Sequence, residues 1–299
     1  MKIVVGGASG LLGTAVVSSL RADGHEVLTL VRRPARSAAE VPWDPAAGTL
    51  DVAALRGVDA GVHLSGAGVG DKRWTDSYKA TLRASRVDST RTLSTALAAL
   101  EPRPQTLLVA SGVGWYGDTG DTPTDETGPS GETFLAGVCR DWEAASAPAV
   151  AAGLRVVHLR TGVVMTPRGG ALGRLWPLFR LGLGGRLGSG RQWWSWIHID
   201  DYVEACRFLL ARADLAGAVN VTAPTPVTNA DFTRALARAV HRPAPWWVPA
   251  PALRVGLGEF AGELLVSQRV LPRRLTEAGF TFGYDDVGRA AQAVAPGSR

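Results

Sequence analysis

Hydrophobic residues follow two different periods at the start of the chain. Residues 2–6 and 26–31 are short runs rich in β-branched residues, which is typical of buried strands. Between these runs, apolar residues return every three or four positions and end near Gly24, as on one face of a helix. The pattern predicts a strand, a loop, a helix and a second strand. The apolar positions of the helix are Leu11, Leu12, Val16, Val17 and Leu20.

The same alternation of strand and helix continues to about residue 160. Strands and helices that alternate at this spacing form βαβ units and place the strands in a parallel sheet. The predicted fold class is therefore α/β, with a doubly wound parallel sheet. The further elements are strands at 61–66, 106–110 and 154–159, and helices at 74–100 and 133–152, the second of which bends or ends at Pro148.

The pattern changes after Thr161. Residues 169–190 are rich in glycine, and a helix at 201–213 and a strand at 218–221 then return to the sheet. The remainder reads as a small lobe with proline-rich joints. We predict a first domain of residues 1–222, in which 166–197 contribute to the second lobe, and a small, mostly helical C-terminal domain of residues 223–299.

Composition places the chain among globular proteins of a reducing compartment. It is 46% hydrophobic over 299 residues, which excludes disorder. Cys139 and Cys206 are the only cysteines, and the five histidines are far apart, so neither a disulfide scaffold nor a metal site is expected. The sequence has no apolar run of about 20 residues, as a membrane helix requires. We therefore predict a cytoplasmic protein without a membrane partner.

The positive charge does not indicate nucleic acid binding. The formal net charge is +5, with 32 Lys+Arg against 27 Asp+Glu. Only three of the basic residues are lysines, and the arginines are dispersed without a dense cluster. Nucleic acid partners require a basic patch on one face, so dispersed arginines are interpreted as solvated helix faces. The partner expected is a small molecule, and a homodimer is compatible with the sequence.

A glycine-rich segment between the first strand and the first helix predicts dinucleotide binding. Gly7 permits a tight turn, Gly10 lets the backbone approach a pyrophosphate, and Gly13 lets the helix lie close to the strand. The helix N-terminus then offers free N–H groups to the anion. A tight βα turn without a ligand is the alternative. The predicted cofactor contacts are Gly7, Ser9, Gly10, Leu11, Leu12, Gly13, Leu64, Ser65, Gly66 and Arg160.

The end of the second strand predicts NADP over NAD. NAD enzymes place an acid there to accept a hydrogen bond from the ribose 2′-hydroxyl, whereas this strand ends with Arg32 and Arg33, and the next acid is Glu40. A guanidinium pairs bidentately with a phosphate. The alternative is that both arginines form a solvated strand end.

These features together resemble the extended form of the short-chain dehydrogenase/reductase superfamily. More specifically, the chain is similar to the atypical NAD-dependent epimerase/dehydratase-like family that includes the bacterial protein YfcH. The resemblance covers nearly the whole chain and implies a Rossmann domain with a smaller C-terminal substrate lobe. Its blocks are DKRW at 71–74, SR at 85–86, WYGD at 115–118, LRTGVV at 159–164, GSGRQ at 188–192, WIHIDD at 196–201, RVLPRRL at 269–275 and EAGF at 277–280.

The superfamily's helical Tyr-x-x-x-Lys pair is absent from this chain. None of the four tyrosines has a lysine four residues later, and Phe134 and Val138 stand roughly where the pair is expected. Ser111, at the end of its strand, is a candidate to hydrogen-bond a substrate oxygen, or else forms a strand-end turn. Tyr116 is the candidate acid/base, with a pKa lowered by Lys72 or Arg86; the alternative is a packing residue whose hydroxyl is tied to backbone.

Basic residues that the resemblance places near the cleft predict an anionic substrate. The functional prediction is an oxidoreductase or epimerase that acts on an unknown small molecule with NADP(H). A protein without catalysis, such as an NADPH-binding sensor or scaffold, is the alternative, since the Tyr-Lys pair is missing. The alternative for Arg86 is a surface ion pair, and the alternative for His198 is a structural hydrogen bond. The predicted substrate-binding residues are Lys72, Arg73, Arg86, Arg191 and His198.

Overall fold

The computed structural model describes residues 1–166 and 168–295. The last four residues of the predicted C-terminal domain and Pro167 of the predicted 166–197 segment lie outside the described residues. The strands are β1 Lys2–Gly6, β2 Glu26–Val31, β3 Glu40–Asp44, β4 Thr49–Leu50, β5 Ala60–His63, β6 Thr106–Gly112, β7 Arg155–Thr161, β8 Val163–Met165, β9 Gly185–Leu187, β10 Trp193–Trp194, β11 Trp196–His198, β12 Gly217–Val221, β13 Val227–Thr228 and β14 Trp246–Val248.

The α-helices alternate with these strands in the first part of the chain and dominate the last part. They are α1 Leu11–Ala22, α2 Asp76–Ala98, α3 Phe134–Ala144, α4 Ala147–Ala151, α5 Gly170–Arg180, α6 Ile199–Ala211, α7 Asn229–Ala239, α8 Ala250–Leu257, α9 Phe260–Leu265, α10 Arg273–Glu277 and α11 Val287–Val294. Short 3₁₀ turns occupy Val52–Leu55 and Val113–Tyr116.

The main sheet has the strand order β12-β7-β6-β5-β1-β2-β3-β4. Its strands are parallel except at one edge, where β4 runs antiparallel to β3. Side chains alternate between the two faces: Ile3 and Val5 pack with α1 and α6, while Val4 packs with α2 on the other face. This is the predicted doubly wound α/β fold, and it is confirmed.

Two predicted helices differ from the structure, and two strands of the main sheet were missed. The helix predicted at 133–152 is two helices, and Pro148 lies in the first turn of α4, where its missing N–H costs little. The helix predicted from Trp74 begins at Asp76 because the Thr75 hydroxyl accepts a hydrogen bond from the Tyr78 N–H and caps it. Strands β3 and β4 were not predicted at all.

The C-terminal part of the chain returns to the loops of the main sheet. A third hydrophobic cluster joins Met165 and Trp196 to Phe232 and to Ala290 of α11. Residues 267–271 form a segment that hydrogen-bonds to two loops, the one that contains Thr119 and Thr124 and the one that contains Ser195. The bonds run from Thr119 N to Ser267 O at 2.8 Å, from Thr124 N to Arg269 O at 2.9 Å, and from Val270 N to Ser195 Oγ at 2.9 Å. No helix in the described residues is both long and apolar enough to span a bilayer.

Candidate functional site

The glycine loop between β1 and α1 is fixed by two glycines that the fold itself requires. Gly7 has a φ of 78°, and a Cβ there would lie 2.6 Å from the carbonyl carbon of Leu64. A Cβ at Gly13 would collide with the carbonyl oxygen of Gly7 and lie 2.8 Å from the Ala8 Cα. The loop therefore lies directly against the end of β5, and α1 lies directly against the loop.

Gly10 has a different environment. Its backbone is extended, with φ −75° and ψ 172°, and it precedes α1 without any side chain that caps the helix. A Cβ there would meet only the Gly7 carbonyl oxygen, at 3.2 Å. The first N–H groups of α1 consequently lack a side-chain acceptor, which is the arrangement that binds phosphate oxygens.

A cavity of about 600 Å³ opens beside this helix end. Ser9, Gly10 and Leu11 form one wall, and Thr166, Arg168 and Gly169 form another. Leu12 instead packs against the hydrophobic cluster on the α1 face of the sheet. Of the predicted contacts, the structure thus brings the glycine loop together with Leu64, Ser65 and a large cavity.

The two arginines at the end of β2 have separate roles. Arg33 forms a bidentate ion pair with Glu40, at 2.8 and 2.6 Å, and its hydrogen bonds lower the pKa of that carboxyl to about 2. Arg32 is exposed beside Trp43 and has no hydrogen-bond or ion-pair partner within residues 1–166 and 168–295. Arg33 neutralises the acid that follows β2, and Arg32 remains free to bind a ligand.

A buried polar network links the carboxyl ends of β6 and β7 to α3. Ser111 Oγ donates to Glu143 Oε1 at 2.8 Å, and Arg160 donates through Nε and Nη2 to the two carboxylate oxygens of Glu143, both at 2.9 Å. Burial alone would lower the pKa of Arg160, but the hydrogen bonds and the charge of Glu143 outweigh burial and raise it. The Ser111 hydroxyl is thus engaged with Glu143, and does not form the strand-end turn considered above.

Tyr116 belongs to the same network. It is 3% exposed, and its hydroxyl donates to Asn220 Oδ1 at 2.7 Å and accepts from Arg160 Nη1 at 3.1 Å. Burial raises the pKa of Tyr116 more than Arg160 lowers it. The expectation that Lys72 or Arg86 lowers this pKa was wrong, because Arg160 is the cation in contact. The hydroxyl is tied to side chains, and not to backbone as the alternative proposed.

We expect Tyr116→Phe to destabilise the protein by about 1–3 kcal/mol, because it leaves Asn220 Oδ1 without its buried donor. Urea unfolding followed by circular dichroism measures this loss. Tyr78→Phe is the matched control and should cost less: within the described residues the Tyr78 hydroxyl donates to one acceptor, the carbonyl oxygen of the half-buried Gly68. Equal stability of Tyr116→Phe and the wild type would contradict the network described here.

The start of α3 presents no titratable pair to the strand ends. Phe134 packs edge-on against Trp74, with ring centroids 4.9 Å apart, and Val138 is buried. The positions nearest the end of β6 are one residue later: Leu135 contacts Gly114, and the Cys139 thiol donates to the Gly112 carbonyl oxygen at 3.6 Å. Burial raises the pKa of Cys139 to about 11, so this thiol stays protonated at neutral pH.

The predicted basic residues do not form one cluster. Lys72 lies over the ring of Tyr78 at 5.9 Å, and the charge of Arg86 also reaches Tyr78. Arg73 turns away and donates to the Val255 carbonyl oxygen of α8. Arg191 is exposed on a turn whose Gly190 carbonyl accepts from Ala230 N of α7. The expectation of one shared cleft is therefore wrong for Arg73 and Arg191.

His198 lies beside the glycine loop. It borders the cavity next to Gly10, and its Nδ1 accepts from the Asp200 N–H at 3.2 Å, which caps α6. The ring stacks on Tyr284 at 3.7 Å, and burial lowers its pKa, so it is neutral at pH 7. The structural hydrogen bond that was the alternative for His198 is therefore made by Nδ1, while Nε2 is buried without a partner among the described residues.

Glu143 and Asn220 were missed by sequence reasoning. Both are buried polar residues that complete the network around Arg160, yet neither belongs to a recognisable pattern. The one sequence feature that indicated such a partner was Arg160 on a predicted buried strand, because a buried guanidinium needs an acid. No three potential metal ligands come together in the described part of the chain.

Two family profiles match the chain. Residues 3–222 match the NAD dependent epimerase/dehydratase family, and residues 248–294 match a domain of unknown function, DUF1731. The chain is 48% identical over 289 residues to the epimerase family protein Mb2239 of Mycobacterium bovis, over 96% of this chain and 95% of the relative.

Two solved structures extend this result. The crystal structure of human epimerase family protein SDR39U1 (isoform 2) with NADPH matches with a TM-score of 0.90 and 32% identity, over 99% of both chains. The nucleoside-diphosphate sugar epimerase from Corynebacterium glutamicum matches with a TM-score of 0.82 and 37% identity, over 99% of this chain and 58% of that one. The resemblance inferred from the sequence blocks is confirmed, and this chain belongs to the NAD dependent epimerase/dehydratase family.

Proposed function

We propose that this protein binds NADP(H) through the glycine loop and Arg32, and acts as an oxidoreductase or epimerase on a small anionic molecule. The observation that carries the proposal is the free guanidinium of Arg32 at the end of β2, beside an Arg33–Glu40 pair that engages the first acid after β2 in the sequence. The human relative solved with NADPH supports the choice of cofactor.

The uncapped start of α1 and the absence of a side chain at Gly10 suit the pyrophosphate, which takes the exposed N–H groups. Leu64 and Ser65 border the same loop through the close contact of Gly7 with the end of β5, and Gly66 follows them in the sequence. Such a cofactor, when bound, carries hydride to or from a substrate carbon. The chain itself contributes position and electrostatics, through Arg32, the helix end and the buried residues at the strand ends.

We expect Arg32→Ala to reduce the preference for NADPH over NADH by at least about tenfold, since one charge-assisted contact to the 2′-phosphate contributes about 1.5–3 kcal/mol. Fluorescence titration with both dinucleotides measures the preference. The matched control is Arg33→Ala with Glu40→Ala, which removes the neighbouring ion pair without changing the net charge and should keep the preference. Equal preference in Arg32→Ala and the wild type would contradict the assignment.

A sensor or scaffold without turnover is the second candidate. It is favoured by Leu135 and Cys139, which face the end of β6 and offer no group that titrates near pH 7. The two functions separate in an assay of NADPH absorbance at 340 nm with a panel of carbonyl compounds. Turnover that depends on Arg32 supports the enzyme, whereas tight NADPH binding without turnover supports the sensor.

A further inference from the structure

Arg86 is a buried arginine without an acidic partner. It extends from α2 and is 9% exposed, between the loop that follows β5 and the face of α3. Its guanidinium lies over the Trp142 ring at 4.9 Å, and a Cβ at Gly66 would lie only 3.2 Å from its Cζ. Nη1 donates to the Leu82 carbonyl oxygen at 2.9 Å. Among the described residues the other N–H donors of this guanidinium have no acceptor.

The groups that face Arg86 do not supply a negative charge. The titratable side chains close enough to interact are Cys139 and Tyr78. Burial raises the pKa of both, so both are neutral at pH 7. Burial also lowers the pKa of Arg86 itself, as expected of a cation that has lost water without gaining an acid.

Arg160 shows what a structural arginine looks like in this protein. It is 4% exposed, and the carboxylate of Glu143 holds it through two hydrogen bonds. A buried charge without such a partner costs stability, so a fold that keeps one has a use for the charge. The position of Arg86 indicates that use. Gly66, which contacts Arg86, follows β5, and Gly112, which contacts Cys139, is the last residue of the neighbouring strand β6. Ligands of open α/β sheets bind outside the carboxyl ends of the strands.

We propose that Arg86 binds an anionic oxygen group of the substrate, a carboxylate or a phosphate, at the carboxyl ends of β5 and β6. A guanidinium presents donors in a planar fork that fits either group. The inference deepens the proposed function, since it names the feature of the substrate that the protein recognises. The ligand, and no residue of the chain, is then the counter-charge of Arg86.

The test compares Arg86→Met with Arg160→Met in the full-length protein. Because Arg86 has no acid to leave behind, Arg86→Met should have a Tm equal to or above that of the wild type, and NADPH affinity within about threefold of it. Arg160→Met should have a clearly lower Tm, since Glu143 loses its partner. The difference in Tm between the two variants distinguishes an arginine that binds a ligand from one that stabilises the fold.

Inorganic phosphate and acetate serve as probes, each at an ionic strength matched with sodium chloride. Either or both should raise the Tm of the wild type above the chloride control, with and without saturating NADPH. With NADPH saturating, which occupies the phosphate site at α1 and Arg32, neither should do so in Arg86→Met; without NADPH, the protection of Arg86→Met should be smaller than that of the wild type. A larger effect of phosphate assigns a phosphate group, and a larger effect of acetate a carboxylate. Arg86→Lys keeps the charge and should retain part of the effect.

The proposal would be overturned by destabilisation of Arg86→Met to the level of Arg160→Met, by loss of NADPH affinity in Arg86→Met beyond about tenfold, or by equal protection of Arg86→Met and the wild type by both probes. An absence of protection in the wild type would do the same. Failure of the wild type to bind NADPH would refute the proposed function instead, since the probes are also measured without the cofactor.

Discussion

Gly10→Val is expected to abolish measurable NADPH binding while the protein remains folded. The backbone at Gly10 has φ −75°, which any residue adopts, and the only nearby atom is the Gly7 carbonyl oxygen. A valine side chain would instead fill the space beside the first N–H groups of α1, which the pyrophosphate needs. We expect affinity to fall by at least about 100-fold, or about 2.7 kcal/mol. Calorimetric titration measures the affinity, and circular dichroism measures the fold.

Gly13→Ala is the matched control for this result. Its Cβ would collide with the Gly7 carbonyl oxygen and the Ala8 Cα, so α1 has to move away from the sheet. This variant should lower the Tm, whereas Gly10→Val should not. Normal NADPH binding by a folded Gly10→Val protein would show that the phosphates lie elsewhere.

Arg160→Met is expected to destabilise the protein by about 3–5 kcal/mol, because it leaves the buried Glu143 carboxylate without its cation. Ser111 and Tyr116 would each keep one hydrogen bond, to Glu143 and Asn220 respectively, but neither supplies a positive charge. Urea unfolding at pH 7 measures the change in the free energy of unfolding.

The double variant Arg160→Met with Glu143→Leu tests the cause. With the pair removed as a unit, neither charge of the pair is left unbalanced, and much of the lost stability should return. If the double variant is no more stable than Arg160→Met, the cost arises from lost packing against Trp115, whose ring lies 3.8 Å from the guanidinium.

Local sequence patterns predicted the parts of the fold that local physics determines. The glycine loop, β1, β2 and α1 depend on residues within about thirty positions of one another, and periodicity and glycine spacing are sufficient there. Strand β3 was missed because Pro42 interrupts the run and predicts a turn. In the structure Pro42 pairs only with β2, since β4 pairs with Trp43 and Asp44, so the proline lies on a stretch of β3 that has one neighbour. The break between α3 and α4 depends on tertiary packing, which cannot be read from the hydrophobic pattern of the sequence.

The candidate site was harder to predict, because its partners are distant in sequence. Tyr116 and Asn220 are separated by 104 positions, and only the sheet order brings β6, β7 and β12 side by side. Arg33 and Glu40 are closer in sequence, but whether Glu40 pairs with Arg32 or with Arg33 depends on the path of the loop between β2 and β3. That no acid of the described residues pairs with Arg86 could not be read from the sequence either, since Asp88 lies only two positions away on α2 and yet the titratable groups that interact with Arg86 are Cys139 and Tyr78.

The segment 267–271 has a consequence for how the protein meets its ligands. Its hydrogen bonds to Thr119, Thr124 and Ser195 join two loops of the first part of the chain to the C-terminal part. A hinge between the two parts would have to break these bonds together, in a region where Val270 and Ser195 are shielded from water. The protein is therefore expected to act as a preformed receptor, in which ligand binding loses little conformational entropy and moves the backbone little.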